Sequence, residues 1–405
     1  MAVHAALNPE ALLRERPTER LAGLRTRSVV FGVIGLVLMA VGWVTQGTTE
    51  FFQSYLISFI FWISITMGSL ALLMVQYLTG GAWGMVSRRI FEAGSRTLPL
   101  ILLLFLPIAF NLPVLYEWVR PAVAATPEIR AKALYLNVPF FFIRAAIFFA
   151  IWGILTFLLN RWSKEQDETA PRLPGPKDGR FRVLSGPGVV LYMITLTFMS
   201  VDWVMSLVPH FYSTIFGILM LGDQGLSTMA FTIVILTIIA RFRPMSEVVE
   251  ADHFHDLGKL MLAFVMLWAY FNVSQLIIVW SGNLPEEIPW YIDRLQGAWA
   301  PIAWLVFLGH FVLPFALLLS RRLKRHPHLL VRLALFVLLM RAVDIIWTIG
   351  PAFRHQTSTI HWLDLASIVG MGGIWMAVFF TLLAGRALLP AHDPYFEEAL
   401  AHGGH

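Results

Sequence analysis

Long apolar runs constrain this chain more than any other feature. A helix crosses a bilayer with roughly 20 predominantly apolar residues, because lipid offers no partner to a free backbone N–H or C=O. The sequence holds about ten runs of that kind. They predict spans at Val29–Thr45, Ser54–Leu78, Thr97–Trp118, Leu136–Leu159 and Gly188–Val208. The second half predicts Tyr212–Ala240, Gly258–Trp280, Trp299–Ser320, Leu329–Gly350 and Leu365–Leu389. Gly222-Asp223-Gln224-Gly225 is expected to interrupt the sixth.

Composition agrees with this reading. Charged residues make up 14% of the chain, against about 25% in a soluble domain. An ordinary soluble enzyme, a disordered chain, a nucleic-acid-binding module and a disulfide scaffold are all excluded. The expected fold class is an all-α integral membrane protein of about ten transmembrane helices.

The basic residues then report topology. Of 30 Lys and Arg, 23 fall in the termini and alternate loops on one side, among them Arg88, Arg89, Arg96, Lys164 and Arg386. Five fall on the other side: Arg120, Arg130, Lys132, Arg294 and Arg354. The positive-inside rule predicts both termini in the cytoplasm. It divides the chain into a cytoplasmic segment 1–27, a transmembrane domain 28–389 and a cytoplasmic tail 390–405. No removable signal peptide is expected at the N-terminus. A linker rich in Pro, Gly and charge, about 160–186, is expected to separate the first spans from the later ones.

Cysteine is absent. Thiolate-ligated iron–sulfur clusters and zinc sites are therefore not available to this chain. A transmembrane haem needs two inward histidines on facing helices. Only His310 sits well inside a predicted span, while His255 and His361 lie at opposite ends. No cofactor is expected on this chain. His402 and His405 read as part of a frayed tail.

Charge inside the spans is the informative signal, since an ionised side chain at mid-helix costs about 2.5–3.5 kcal/mol on insertion scales. Arg144, Asp202, Arg341 and Asp344 are expected at one level in the outer third of the membrane. They suit either salt bridges that lock the helices or an outer proton half-path or quinone head-group site. Asp223 and His310 are expected nearer the middle as a central relay, with Gln275 on a polar face shared with Trp268 and Asn272. Hydroxyl and amide side chains along the second and sixth spans read individually as interhelical hydrogen bonds.

Longer strings carry a resemblance. They include FFQSYL from Phe51, LTGGAWG from Leu78, RTLP from Arg96 and SGPG from Ser185. VDWVMSL from Val201, PHFYSTIFG from Pro209, LWAYF from Leu267, Ser274-Gln275 and IVWSGNLPEE from Ile278 complete the set. The chain resembles the shorter NrfD/polysulfide-reductase-type membrane subunit of bacterial alternative complex III, a quinol:electron-acceptor oxidoreductase. The resemblance runs roughly from Phe51 to Leu388.

It implies two four-helix bundles plus two extra helices in a bacterial inner membrane. It implies assembly with a multihaem cytochrome, an iron–sulfur subunit, a monohaem cytochrome, small membrane subunits and a longer paralogous anchor. Haems and clusters would belong to those partners, with menaquinone or another quinone, and lipids, in the complex. The chain would anchor partners and conduct protons. A purely structural anchor and a second quinone-binding subunit remain as alternatives.

Overall fold

The structure is a computed structural model that describes residues 18–168, 179–354, 360–390, 392–393 and 396. The long helices are α1 Thr18–Gln46, α2 Thr48–Thr79, α3 Ala82–Ser95 and α4 Leu98–Phe110. They continue as α5 Val138–Glu168, α6 Arg180–Trp203, α7 Phe216–Ile239 and α8 Ala251–Gly282. After the short α9 Ile288–Leu295 come α10 Gly297–Leu319, α11 Pro327–Ile349 and α12 Trp362–Ala384. No strand occurs among the described residues.

Nine helical stretches among the described residues are long and apolar enough to cross a membrane, α3 and α4 together counting as one. The protein is a multi-pass helical membrane protein. α11 is not among the nine, although it has 23 residues. Arg332, Arg341 and Asp344 make it too charged; Arg332 is exposed near the helix start, while Arg341 and Asp344 are buried and pair with each other.

α2 is the hub. Every residue from Phe52 to Leu70 is buried. It packs against α1, α3, α4, α6, α7, α11 and α12. Its hydroxyls close onto backbone carbonyls, as Ser64 does on Ile60 and Ser69 on Ile65. That satisfies those two hydroxyls without requiring a polar neighbour. Beside α2, the Trp203 ring of α6 contacts Phe59, Phe105, Phe149 and Trp152, joining α2, α4, α5 and α6. A second group forms where α7 packs on α8 and α11, and α10 on α8 and α11. α1 and α12 make the most extensive helix pair in the molecule. A Cβ built on Gly35 would lie 2.2 Å from Gly370 Cα, so only glycine permits this approach. The opposite face of α1 exposes Val30, Phe31, Val33 and Ile34, as hydrocarbon contact requires.

Several expected boundaries shift. The N-terminal segment becomes helical at Thr18, so α1 begins before its apolar run; residues 1–17 lie outside the description. α5 continues to Glu168 and α6 starts at Arg180, so helix occupies most of the expected 160–186 linker. Its Pro171, Pro174, Gly175 and Pro176 lie outside the described residues, as do His402 and His405 of the tail. α7 runs unbroken through Gly222-Asp223-Gln224-Gly225. The glycines serve packing there: a Cβ on Gly225 would meet the Phe264 ring at 2.2 Å, and one on Gly222 the Phe271 ring at 3.2 Å. Arg88 and Arg89 do not sit in a loop, because α3 wedges them obliquely against the last turns of α2.

Candidate functional site

Four buried ionic groups emerge among the described residues, one of them around Glu92 at the basic end, and they divide the expected residues differently from the sequence. The first gathers on α7, α8, α10 and α11. Arg341 and Asp344 stand three apart on α11 and therefore share a face. Arg341 Nη1 donates a short hydrogen bond to Asp344 Oδ2 and lies 2.9 Å from Asp223 Oδ1 on α7. His310 Nδ1 of α10 lies 3.9 Å from Asp344 Oδ2. The Trp268 ring of α8 meets the His310 ring edge-on, 4.6 Å between centroids.

Local helix geometry places these groups. His310 sits in a π-helical turn, Phe307–Val312, inside α10. Such a turn adds a residue to the helix and re-aims the side chains around it, and it recurs at functional sites. Gly309 beside it lets α11 approach, since a Cβ there would stand 2.4 Å from Met340 Sδ.

The cluster has spare hydrogen-bonding capacity. All four charged or titratable side chains are buried, His310 and Arg341 completely. Yet both His310 ring nitrogens, Arg341 Nε and Nη2, Trp268 Nε1 and Asp223 Oδ1 lack a hydrogen bond of good geometry. Buried polar atoms are normally paired, and a concentration of unpaired ones marks a place where water or an exchanging proton completes the network. One guanidinium also faces two carboxylates. A neutral cluster, the arrangement a low-dielectric interior favours, therefore holds one additional proton.

The second group is Arg144 with Asp202. Arg144 Nε and Nη2 form a bidentate pair with the Asp202 carboxylate at 2.7 and 2.9 Å, and Nη1 donates to Tyr135 O at 2.9 Å. Tyr135 and Phe140 cover the guanidinium at 3.9 and 4.4 Å. This guanidinium is satisfied on every side, and it clamps α5 to α6. Among the described residues no hydrogen bond or ion pair joins it to Arg341 or Asp344. The expected convergence of these four residues is thus two separate sites. Gln275 also stands apart: its Oε1 accepts from Ser213 Oγ at 2.6 Å. Asp223 does not use Ser227 as a relay partner, because Ser227 Oγ donates to the Asp223 backbone carbonyl.

The third group was not legible. Arg354 Nη1 and Nη2 grip Asp364 at 2.6 and 2.9 Å, and Ser54 Oγ donates to Asp364 Oδ1 at 2.6 Å. This ties the entry of α12 to α2. Burial works against the Arg354 charge, but the Asp364 carboxylate outweighs it and raises the Arg354 pKa. A loop arginine and a helix-start aspartate ten residues apart offer no periodic signal.

No group of three metal-ligating side chains occurs among the described residues. No protein-family model and no curated protein matches the chain.

Proposed function

We propose that this chain is a cofactor-free integral subunit of an alternative complex III-like quinol:electron-acceptor oxidoreductase in a bacterial inner membrane. In this reading it crosses ten times, with both termini cytoplasmic and α11 as the ninth span. Two four-helix bundles are flanked by the α1–α12 pair. It anchors a multihaem cytochrome, an iron–sulfur subunit and a longer paralogue, and it carries protons through Asp223, Asp344, Arg341 and His310. Arg144 and Asp202 act as a helix clamp outside that path.

Two things support the reading. The strings from Phe51 to Glu287 resemble the shorter membrane subunit of that complex, and the chain has no cysteine for a cluster of its own. The observation that carries the proton role is the charge balance: a single guanidinium, Arg341, lies between two buried carboxylates beside a buried histidine. In Arg144–Asp202, by contrast, one guanidinium meets one carboxylate, and the pair is neutral without a further proton.

Affinity purification of the chain from its native membrane under mild detergent tests the assignment. Haem-bearing and iron–sulfur partners are expected to copurify in fixed ratio, with quinol-oxidising activity. Isolation of the chain alone, stable and free of haem, overturns it.

A further inference from the structure

The fourth buried charged assembly lies at the basic end of the molecule and is built on α3. Arg88, Arg89 and Glu92 are almost wholly buried there. Glu92 is saturated: its Oε1 accepts from Ser163 Oγ at 2.6 Å and Arg88 Nε at 3.2 Å, and its Oε2 from Arg89 Nη1 at 2.7 Å and Arg386 Nη1 at 3.0 Å. Asp393 takes a further bond from Arg88, and Asp167 one from Arg89 at 2.5 Å. Arg386 Nη2 donates to Asn160 O at 2.8 Å.

Arg96 is the fourth guanidinium of this assembly, and the three carboxylates are already engaged by the other three. It is half-buried, with Arg386, Glu92 and Arg89 as its charged neighbours. Its side chain makes no ion pair and no hydrogen bond with any described residue. Arg96 opens onto a cavity of about 320 Å³, whose wall also includes Lys164, Asp167, Glu168 and Arg386. The two acidic members are both committed, Asp167 to Arg89 and Glu168 to Lys164 at 3.6 Å. A cavity of this size takes a small polar group. The surplus positive charge selects an anion, and a guanidinium with free N–H groups matches the tetrahedral oxygens of a phosphate.

We infer that the cavity between the ends of α3, α5 and α12 binds a phosphate group, with Arg96 as its principal contact and Lys164 and Arg386 completing the cation shell. The group belongs to an acidic phospholipid headgroup or to free phosphate. Basic pockets between transmembrane helices at the cytoplasmic surface commonly hold lipid phosphates. The inference stands apart from the oxidoreductase reading, since it uses none of the residues of the Asp223 cluster.

The test uses the full chain purified in neutral detergent, stripped of lipid and examined by native mass spectrometry and thermal melting. Phosphatidylglycerol, phosphatidylcholine and inorganic phosphate are added separately. Phosphatidylglycerol is expected to bind and raise the melting temperature. R96Q is expected to bind it roughly fivefold more weakly, the increment of one cation near an anionic surface. R96K keeps the charge without the guanidinium fork and is expected to bind between wild type and R96Q, and K259Q, an exposed cation at the same end, to bind as wild type. Equal protection by inorganic phosphate assigns a soluble ligand; protection by the lipid alone assigns the headgroup. Unchanged binding in R96Q, equal loss in R96K, or equal binding of phosphatidylcholine overturns the proposal.

Discussion

His310 Nδ1 faces Asp344 Oδ2 across 3.9 Å of buried space between α10 and α11, and neither nitrogen of the ring has a hydrogen-bond partner. The separation is too long for a direct bond. Proton exchange between the Arg341-bound carboxylates and the imidazole would therefore require a bridging group or a small side-chain movement.

Asp223→Asn removes one of the two carboxylates that share Arg341. The remaining Asp344–Arg341 pair is neutral without an extra proton. Infrared difference spectra of the wild-type protein should therefore contain a protonated-carboxyl band that disappears in the Asn variant, with the protein still folded. A band that persists would place the proton elsewhere and sink the assignment of Asp223.

Arg341→Met should do more damage than Asp223→Asn. It strands two carboxylates in the interior, and breaking a buried pair by deleting one partner costs about 3–5 kcal/mol. The melting temperature and detergent-solubilised yield should fall well below those of the Asn variant. Equal stability of the two variants would mean that Arg341 is not the common counter-ion.

Arg144→Met should likewise cost about 3–5 kcal/mol by orphaning Asp202. The double variant Arg144→Met with Asp202→Leu should recover most of that loss, since well-packed apolar pairs often replace buried ion pairs without penalty. Thermal melting of the two singles and the double forms the cycle. Proton transfer should be unaffected in the double variant if this pair is only a clamp.

The same substitution should have opposite signs at two places on α1. Nothing lies within 4 Å of a Cβ at Gly23, so Gly23→Ala should stabilise by about 0.8–1 kcal/mol through helix propensity. A Cβ at Gly35 collides with the Gly370 backbone, so Gly35→Ala should lower the melting temperature by forcing α1 and α12 apart. A stabilised Gly35→Ala variant would refute that seam.

Topology is open to labelling without background, because the chain has no cysteine. Cysteine at Lys164 or Lys259 should react with an impermeant maleimide only in inverted vesicles. Cysteine at Arg130 or Asp293 should react only in right-side-out ones. Reaction of both pairs from one side would invalidate the ten-span arrangement.

The helices were legible because hydrocarbon imposes length and apolarity on each, and these are local properties of sequence. α7 and α3 show where that ends. The Gly222–Gly225 segment looks like a break until Phe264 and Phe271 fill the space against it. Arg88 and Arg89 look like loop cations because, beyond Glu92 on the same helix, their partners Asp167, Ser163 and Asp393 are distant in sequence. For the candidate site, the spacing of Arg341 and Asp344 was readable on one helix face. Their association with Asp223 and His310 rather than with Arg144 and Asp202 depends on which helices are neighbours, and depth alone does not reveal that. The π-helical turn at His310 has no counterpart in apolar periodicity, although Gly309 and Pro314 flank the position.

The α1–α12 pairing has a consequence for biogenesis. Gly35 and Gly370 are separated by nearly the whole chain, so α1 enters the membrane long before its mate is made. At about 5–20 residues per second the interval is on the order of tens of seconds. During that time the Gly35 face of α1 lacks the helix it packs on. A chain stalled before α12 therefore leaves Ser54, Ser58 and Trp62 of α2 without their acceptors as well as α1 without its seam.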